Sequence, residues 1–145
     1  MFLLDLKTAH EVMISSEILQ KLYDSTRVVA IDEVQFLDDE VVPIIDFLAE
    51  KKIQVIVSGL DKDFRGEPFA FMPKLLSMAE YVTKLTAICV KCGRPATRTQ
   101  RMVNGKPAKY TDPIVLIGAQ ESYEARCRSC HQVYRKPAPY KHQLK

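Results

Sequence analysis

A parallel-sheet α/β domain followed by a small metal-binding lobe is the architecture this sequence predicts, and three observations predict it. Two short apolar, β-branched runs, at 27–32 and 53–58, flank a segment whose apolar residues recur at helical spacing, the pattern of a β-α-β unit. All four cysteines fall in two Cys-x2-Cys pairs in the second half of the chain. The charge also divides: residues 1 to 80 carry 8 Lys/Arg against 15 Asp/Glu, or −7, and residues 81 to 145 carry 13 against 3, or +10, which sum to the net +3. With 145 residues, 47% hydrophobic and 27% charged, the chain has the size of one domain with an appendage and an ordinary globular composition. A large multidomain enzyme and a disordered chain are thereby excluded. No apolar run approaches the ~20 residues that cross a bilayer, and no basic stretch precedes an apolar block at the N-terminus. A cytoplasmic chain with no membrane partner is expected.

The elements follow in order. Val12-Met13-Ile14 reads as a short strand, with Ser15 and Ser16 as candidate caps of a helix carrying Ile18, Leu19 and Leu22. Residues 27–32, Arg-Val-Val-Ala-Ile-Asp, read as a buried-type strand ending in two adjacent carboxylates, Asp32 and Glu33. Asp38 or Asp39 caps the next helix, whose Val41, Ile44, Ile45 and Leu48 keep i, i+3, i+4, i+7 spacing. Pro43 lies in its first turn, where proline is tolerated, and Lys51 and Lys52 close it against the helix dipole. Residues 53–58 form the second buried-type strand, stopped by Gly59. The polar, aromatic loop at 60–72 lies beyond the carboxyl end of that strand, the edge at which open α/β sheets bind ligands. A short helix spans about 73–81, after which Asn104-Gly105 marks a hairpin turn among short strands. The predicted division is 1–85 for the α/β domain, 86–136 for the metal lobe and 137–145 for a flexible tail.

Two constellations carry chemistry. Cys89-x2-Cys92 and Cys127-x2-Cys130, separated by 34 residues, use every cysteine in the chain, and each turn can present two thiolates to one tetrahedral Zn²⁺. A disulfide framework and unconnected thiols are the alternatives, both disfavoured in a chain without an export signal. His131 beside Cys130 is read as a surface residue. Four cysteines leave no open coordination position, so the zinc is expected to be structural. The strand ending in Asp32-Glu33 is a Walker B-like pattern, in which one carboxylate serves Mg²⁺-nucleotide and its neighbour can act as base. The plain alternative is a solvated strand end. A Gly-x4-Gly-Lys-[Ser/Thr] phosphate loop should accompany it, yet the one Gly-Lys pair, Gly105-Lys106, is followed by Pro107 and has Gln100 where the first glycine belongs.

Taken together, Asp32-Glu33-Val34-Gln35-Phe36, then Gly59-Leu60-Asp61-x2-Phe64-x4-Phe69, then the two cysteine pairs resemble, in order and spacing, the zinc-containing (type II) thymidine kinase family across about residues 10 to 135. The resemblance implies a RecA-like, P-loop-NTPase-type parallel sheet and a zinc-ribbon lobe with a lasso loop. It further implies a tetramer that moves the ATP γ-phosphate to the 5′-hydroxyl of thymidine. Carried over by position, Glu33 is the catalytic base and Asp32 the Mg²⁺-associated carboxylate, with Val34 and Gln35 in the same nucleotide-binding motif. Phe36, Leu60, Phe64 and Phe69 match the thymine pocket. Thr99, Ile114, Val115, Leu116, Ile117, Gly118 and Tyr123 match lasso positions that hold the nucleoside largely through backbone groups. Thymine suits such contacts, presenting two carbonyl oxygens and one N–H.

The departure is the missing phosphate loop. Members begin with a strand and a Gly-rich Lys-Ser loop, and Met1 starts beyond that point. The expectation is an N-terminally truncated kinase, inactive alone, with sheet hydrogen-bonding groups left unpaired where the first strand is missing. A non-catalytic nucleoside-binding or assembly subunit is the competing reading, and Glu33, which a scaffold does not need, favours the kinase. A zinc-ribbon nucleic-acid binder has the +10 half in its favour but few interleaved aromatics, so nucleic acid is not an expected partner.

Overall fold

The computed structural model describes residues 2–5, 8–115 and 121–138, with backbone alone at 2–5 and 8. The chain separates into two compact units, Met1–Asp61 with Pro68–Val82, and Lys62–Glu67 with Thr83–Lys145. Leu116, Ile117, Gly118 and residues 139–145 lie outside the described residues.

In the first unit β1 (Phe2–Asp5) and β2 (Thr8–Glu11) form a hairpin, followed by α1 (Ser16–Gln20), β3 (Val28–Ile31), a 3-10 turn (Val34–Phe36), α2 (Val41–Glu50), β4 (Gln54–Val57) and α3 (Met72–Met78). The sheet order is β2-β1-β3-β4. Only β3 and β4 run parallel, from Val28↔Gln54 to Ile31↔Val57, joined through α2 as the β-α-β pattern predicts. The expected parallel sheet is thus found in part, as one parallel pair within a mixed sheet. β1 pairs antiparallel with β3 at Leu3↔Ile31 and Leu4↔Ala30, so β3 has a neighbour on each side. A backbone edge satisfied by an antiparallel hairpin meets the same hydrogen-bond requirement as a parallel neighbour.

The first strand is also displaced from the reading at 12–14. Val12 is fully buried, but Met13 and Ile14 are exposed and follow β2 rather than forming it. β3 and β4 bury one side more than the other: Val29 and Ile31 are buried on β3, while on β4 Ile56 is 51% exposed and Val55 and Val57 pack against the core. The reason is the single layer of cover. Ile18, Val41, Leu48, Met72 and Leu75, from all three helices, share one cluster with Val29, Ile31, Val55 and Val57. Ile44 and Ile45 complete the apolar stripe of α2 as predicted. The caps differ from expectation. Glu40 precedes α2 without a side-chain cap, because the Asp38 carboxylate accepts the Ser15 amide at 2.9 Å. That amide, with the Ser15 hydroxyl, holds the Asp38 carboxyl below its ordinary range. Lys52, with φ of 64°, turns the chain out of α2 toward β4.

In the second unit β5 (Ala87–Ile88) pairs with β6 (Pro95–Ala96), and β7 (Arg98–Val103) sits between β8 (Lys106–Pro107) and β9 (Glu121–Arg126), all antiparallel. Asn104 and Gly105 join β7 to β8 with φ of 49° and 72°, the doubly left-handed turn their sequence predicts. The buried cluster of this unit is small: Cys89, Ala96 and Cys127, with Ala125 and Cys130 against it. So little apolar burial leaves the cysteines to hold the lobe together.

Candidate functional site

Asp32 and Glu33 stand at the carboxyl end of β3, where the chain must leave the sheet. Glu33 adopts a left-handed conformation, φ 52° and ψ 38°, uncommon for a residue with a side chain and a form of strain concentrated at functional sites. The Asp32 carboxylate accepts the Glu33 amide at 2.9 Å and the Ser58 hydroxyl. Ser58 is the residue after β4, so the parallel register Ile31↔Val57 brings it beside Asp32. Buried Gln35 donates from Nε2 to Glu33 Oε2 at 2.5 Å and accepts the Leu60 amide on Oε1 at 3.1 Å. Gly59 is required by that approach: a Cβ there would stand 2.3 Å from Gln35 Oε1 and 3.2 Å from Val34 Cγ1. Asp32, Glu33, Gln35, Ser58 and Leu60 thus form one hydrogen-bonded group whose two carboxylates are exposed to solvent. Val34 is fully buried and its amide donates to Ser58 O. Phe36, 52% exposed, meets buried Phe69 edge to face at 5.8 Å.

Phe64 belongs to the second unit. Its turn is built by buried Asp63, whose Oδ1 accepts the amides of Arg65 at 2.9 Å and Glu67 at 3.1 Å, while Gly66 takes φ of 74°. His131 is half-buried, not a surface residue, and its Nε2 lies 2.8 Å from Phe64 O. The Phe64 ring faces the Arg101 guanidinium at 5.0 Å and that of Arg65 at 5.3 Å. Thr99 and Arg101 lie on one face of β7, opposite Ala125 and Tyr123 of β9. The Tyr123 hydroxyl donates to Glu121 at 3.0 Å, and the ring is half exposed. Ile114 and Val115 are partly exposed. A cavity of about 440 Å³ opens on the other face of this sheet, against Gln100, Met102, Glu124 and Arg126, away from Thr99 and Tyr123.

The four cysteine Sγ atoms lie within 4.8 Å of one another. Zn–S bonds of 2.3 Å arranged tetrahedrally give S···S edges of about 3.8 Å, and Cys92 and Cys127 stand 3.6 Å apart, far beyond a disulfide. The group can therefore hold a metal such as zinc. Each knuckle closes on its own backbone, Gly93 N to Cys89 O at 2.8 Å and Cys130 N to Cys127 O at 3.1 Å. Hydrogen bonding with Arg94 brings the Cys92 thiol down to about 6. Hydrogen bonds with the neighbouring thiols, Cys92 first, push Cys130 up to about 12. Without a cation such a set cannot become four thiolates, which is the donor chemistry of a tetrahedral metal centre. His131 is outside this group.

Ser58, Arg101 and Asp63 escaped sequence reasoning. Ser58 had a signal, since residues following paired parallel strands are neighbours. Arg101 had none, because a strand arginine reads as solvent-facing. Among the described residues, no helix is long and apolar enough to cross a membrane. Compared with protein-family models, residues 4–131 match the one described as thymidine kinase.

Proposed function

The chain belongs to the thymidine kinase family, and from that premise we propose that it is a cytoplasmic chain of the reaction in which ATP and thymidine give ADP and dTMP, a step of DNA-precursor supply. The observation that carries the reading is the fixed carboxylate at the end of β3: Glu33, held through Gln35 to the Leu60 amide. A rigid strand-end mount suits a general base, which must stay within hydrogen-bond reach of the hydroxyl it deprotonates. Glu33 takes the proton of the 5′-hydroxyl as that oxygen bonds to the γ-phosphorus and the bond to the ADP oxygen breaks. Asp32, oriented by Ser58, serves the Mg²⁺ that accompanies ATP, with Val34 and Gln35 supporting the motif. Phe36, Leu60, Phe64 and Phe69 provide apolar contact for the base, while Thr99, Tyr123 and residues 114–118 supply its backbone and edge contacts.

Zn²⁺ on Cys89, Cys92, Cys127 and Cys130 is structural in this reading, replacing the core that the lobe lacks. A RecA-like sheet and assembly into a homotetramer are proposed with it. The test is titration calorimetry of the zinc-loaded chain with thymidine. Saturable binding of one thymidine per chain, absent for a purine nucleoside, is expected; no thymidine binding overturns the reading.

A further inference from the structure

Arg101 stands in the middle of a six-residue strand and is fully buried. A guanidinium withdrawn from water must be repaid by partners, so its partners show what the burial is for. Nη1 donates to Pro113 O at 2.6 Å and approaches Ile114 O at 3.4 Å. Nε lies 3.0 Å from Glu121 Oε2, close enough for ionic attraction although not aligned as a hydrogen bond. The guanidinium plane covers the Phe64 ring at 5.0 Å. One side chain therefore gathers the Pro113 and Ile114 carbonyls, the Glu121 carboxylate and the aromatic ring at 64. Nη2 is buried and has no partner among the described residues. An arginine serving the fold alone would have its donors taken, since buried polar groups are nearly always paired.

We propose that Arg101 is a positioning residue for nucleoside binding: it fixes the Pro113 and Ile114 carbonyls, Glu121 and Phe64 in the arrangement that receives the base, and its Nη2 gains an acceptor when the nucleoside is in place. This inference rests on the nucleoside reading above. A planar fork is needed for the role, because a carbonyl pair, a carboxylate and a ring lie on different sides of it, and a lysine ammonium has neither the flat face to cover the ring nor the spread to reach all three.

The test compares zinc-loaded wild type, R101K and R101M by thymidine calorimetry, zinc content, and hydrogen exchange across 113–121 with and without thymidine. Wild type is expected to bind and to slow exchange in 113–121 on binding. R101M should bind at least about tenfold more weakly and R101K nearly so, both retaining one zinc per chain and losing the thymidine-dependent protection. Should R101M lose its zinc, R101K and E121Q decide, since the first keeps the positive charge and the second the shape of the side chain it replaces. Wild-type binding with R101K and E121Q unaltered overturns the role of Arg101 alone. Absence of binding by wild type overturns the nucleoside reading and the role together.

Discussion

Gln35 holds Glu33 from beneath: its Nε2 donates to the Glu33 carboxylate at 2.5 Å while its Oε1 accepts the Leu60 amide at 3.1 Å. The glutamine is buried and the glutamate exposed, so the orientation of this carboxylate is set by a side chain that solvent does not reach. The same contact couples the end of β3 to the residue opening the loop after β4.

Replacing Gln35 with Leu removes both bonds, and with Glu33 and Leu60 exposed to water the loss should be about 0.5–1.5 kcal/mol. Gly59→Ala should act on the same contact from the other side, because its Cβ would meet Gln35 Oε1 at 2.3 Å. Urea denaturation of the zinc-loaded chain is the measurement. Unchanged midpoints in both variants would show that the bridge contributes nothing to the fold.

Much of the first unit was legible because each strand of the β-α-β unit is a short β-branched run and α2 keeps strict apolar spacing from Val41 to Leu48. The cysteine group was legible because two Cys-x2-Cys turns leave few arrangements other than one shared ion. The antiparallel partner of β3 was not, since residues 2–11 contain no Gly, Pro or Asn to mark a hairpin turn and strand pairing is a long-range choice. Gln35 and Arg101 were unreadable for a related reason: a polar residue announces its type in the sequence but not which distant backbone groups it will satisfy.

Removing zinc should unfold the second unit and spare the first. The second unit buries Cys89, Ala96 and Cys127 as its cysteine cluster, and a structural zinc site contributes roughly 10–16 kcal/mol of apparent binding energy at neutral pH. Metal analysis should find one zinc per chain, reduced by Cys127→Ser. Chelation should speed amide exchange in 86–136 by orders of magnitude while 28–57 stays protected. With the Cys130 thiol at about 12 in the metal-free set, zinc uptake at neutral pH must also release protons, so affinity should rise with pH.

Ser15 and Asp38 tie α1 to the approach of α2, through the amide at 2.9 Å and the hydroxyl at 3.2 Å. Asp38→Ala should cost about 0.5–1.5 kcal/mol near neutral pH. The carboxyl is held below its ordinary 3.8 by the Ser15 amide first. A depressed folded value means the contribution is complete above the unfolded value and lost as pH falls through the folded one. The gap between wild type and Asp38→Ala should therefore be full near neutrality and close under acid. A gap that persists below the folded value would assign the effect to something other than this carboxylate.

Ile56 is 51% exposed on β4, the last strand in the sheet order. An edge strand with an apolar outward face is a template for association. Ile56→Lys should lower concentration-dependent self-association, read by light scattering across a dilution series, with thymidine affinity unchanged. Identical scattering from the two proteins would clear this edge of any part in association.

Phosphate transfer by these 145 residues alone should be negligible. In the proposed reaction Glu33 is the base on the attacking side, but the donor side needs backbone amides and a lysine around the ATP phosphates, and these residues offer only Gly105-Lys106-Pro107 at a hairpin. Since catalysis of phosphoryl transfer is mostly positioning and charge stabilisation, a base without that cradle acts on a phosphorus that nothing holds in line. Incubation of the zinc-loaded chain with ATP, Mg²⁺ and labelled thymidine should give dTMP at background, and Glu33→Gln should give the same. Turnover by wild type that Glu33→Gln abolishes would mean that the ATP phosphates are held by other groups, and the search for them would begin with the arginines of the second unit.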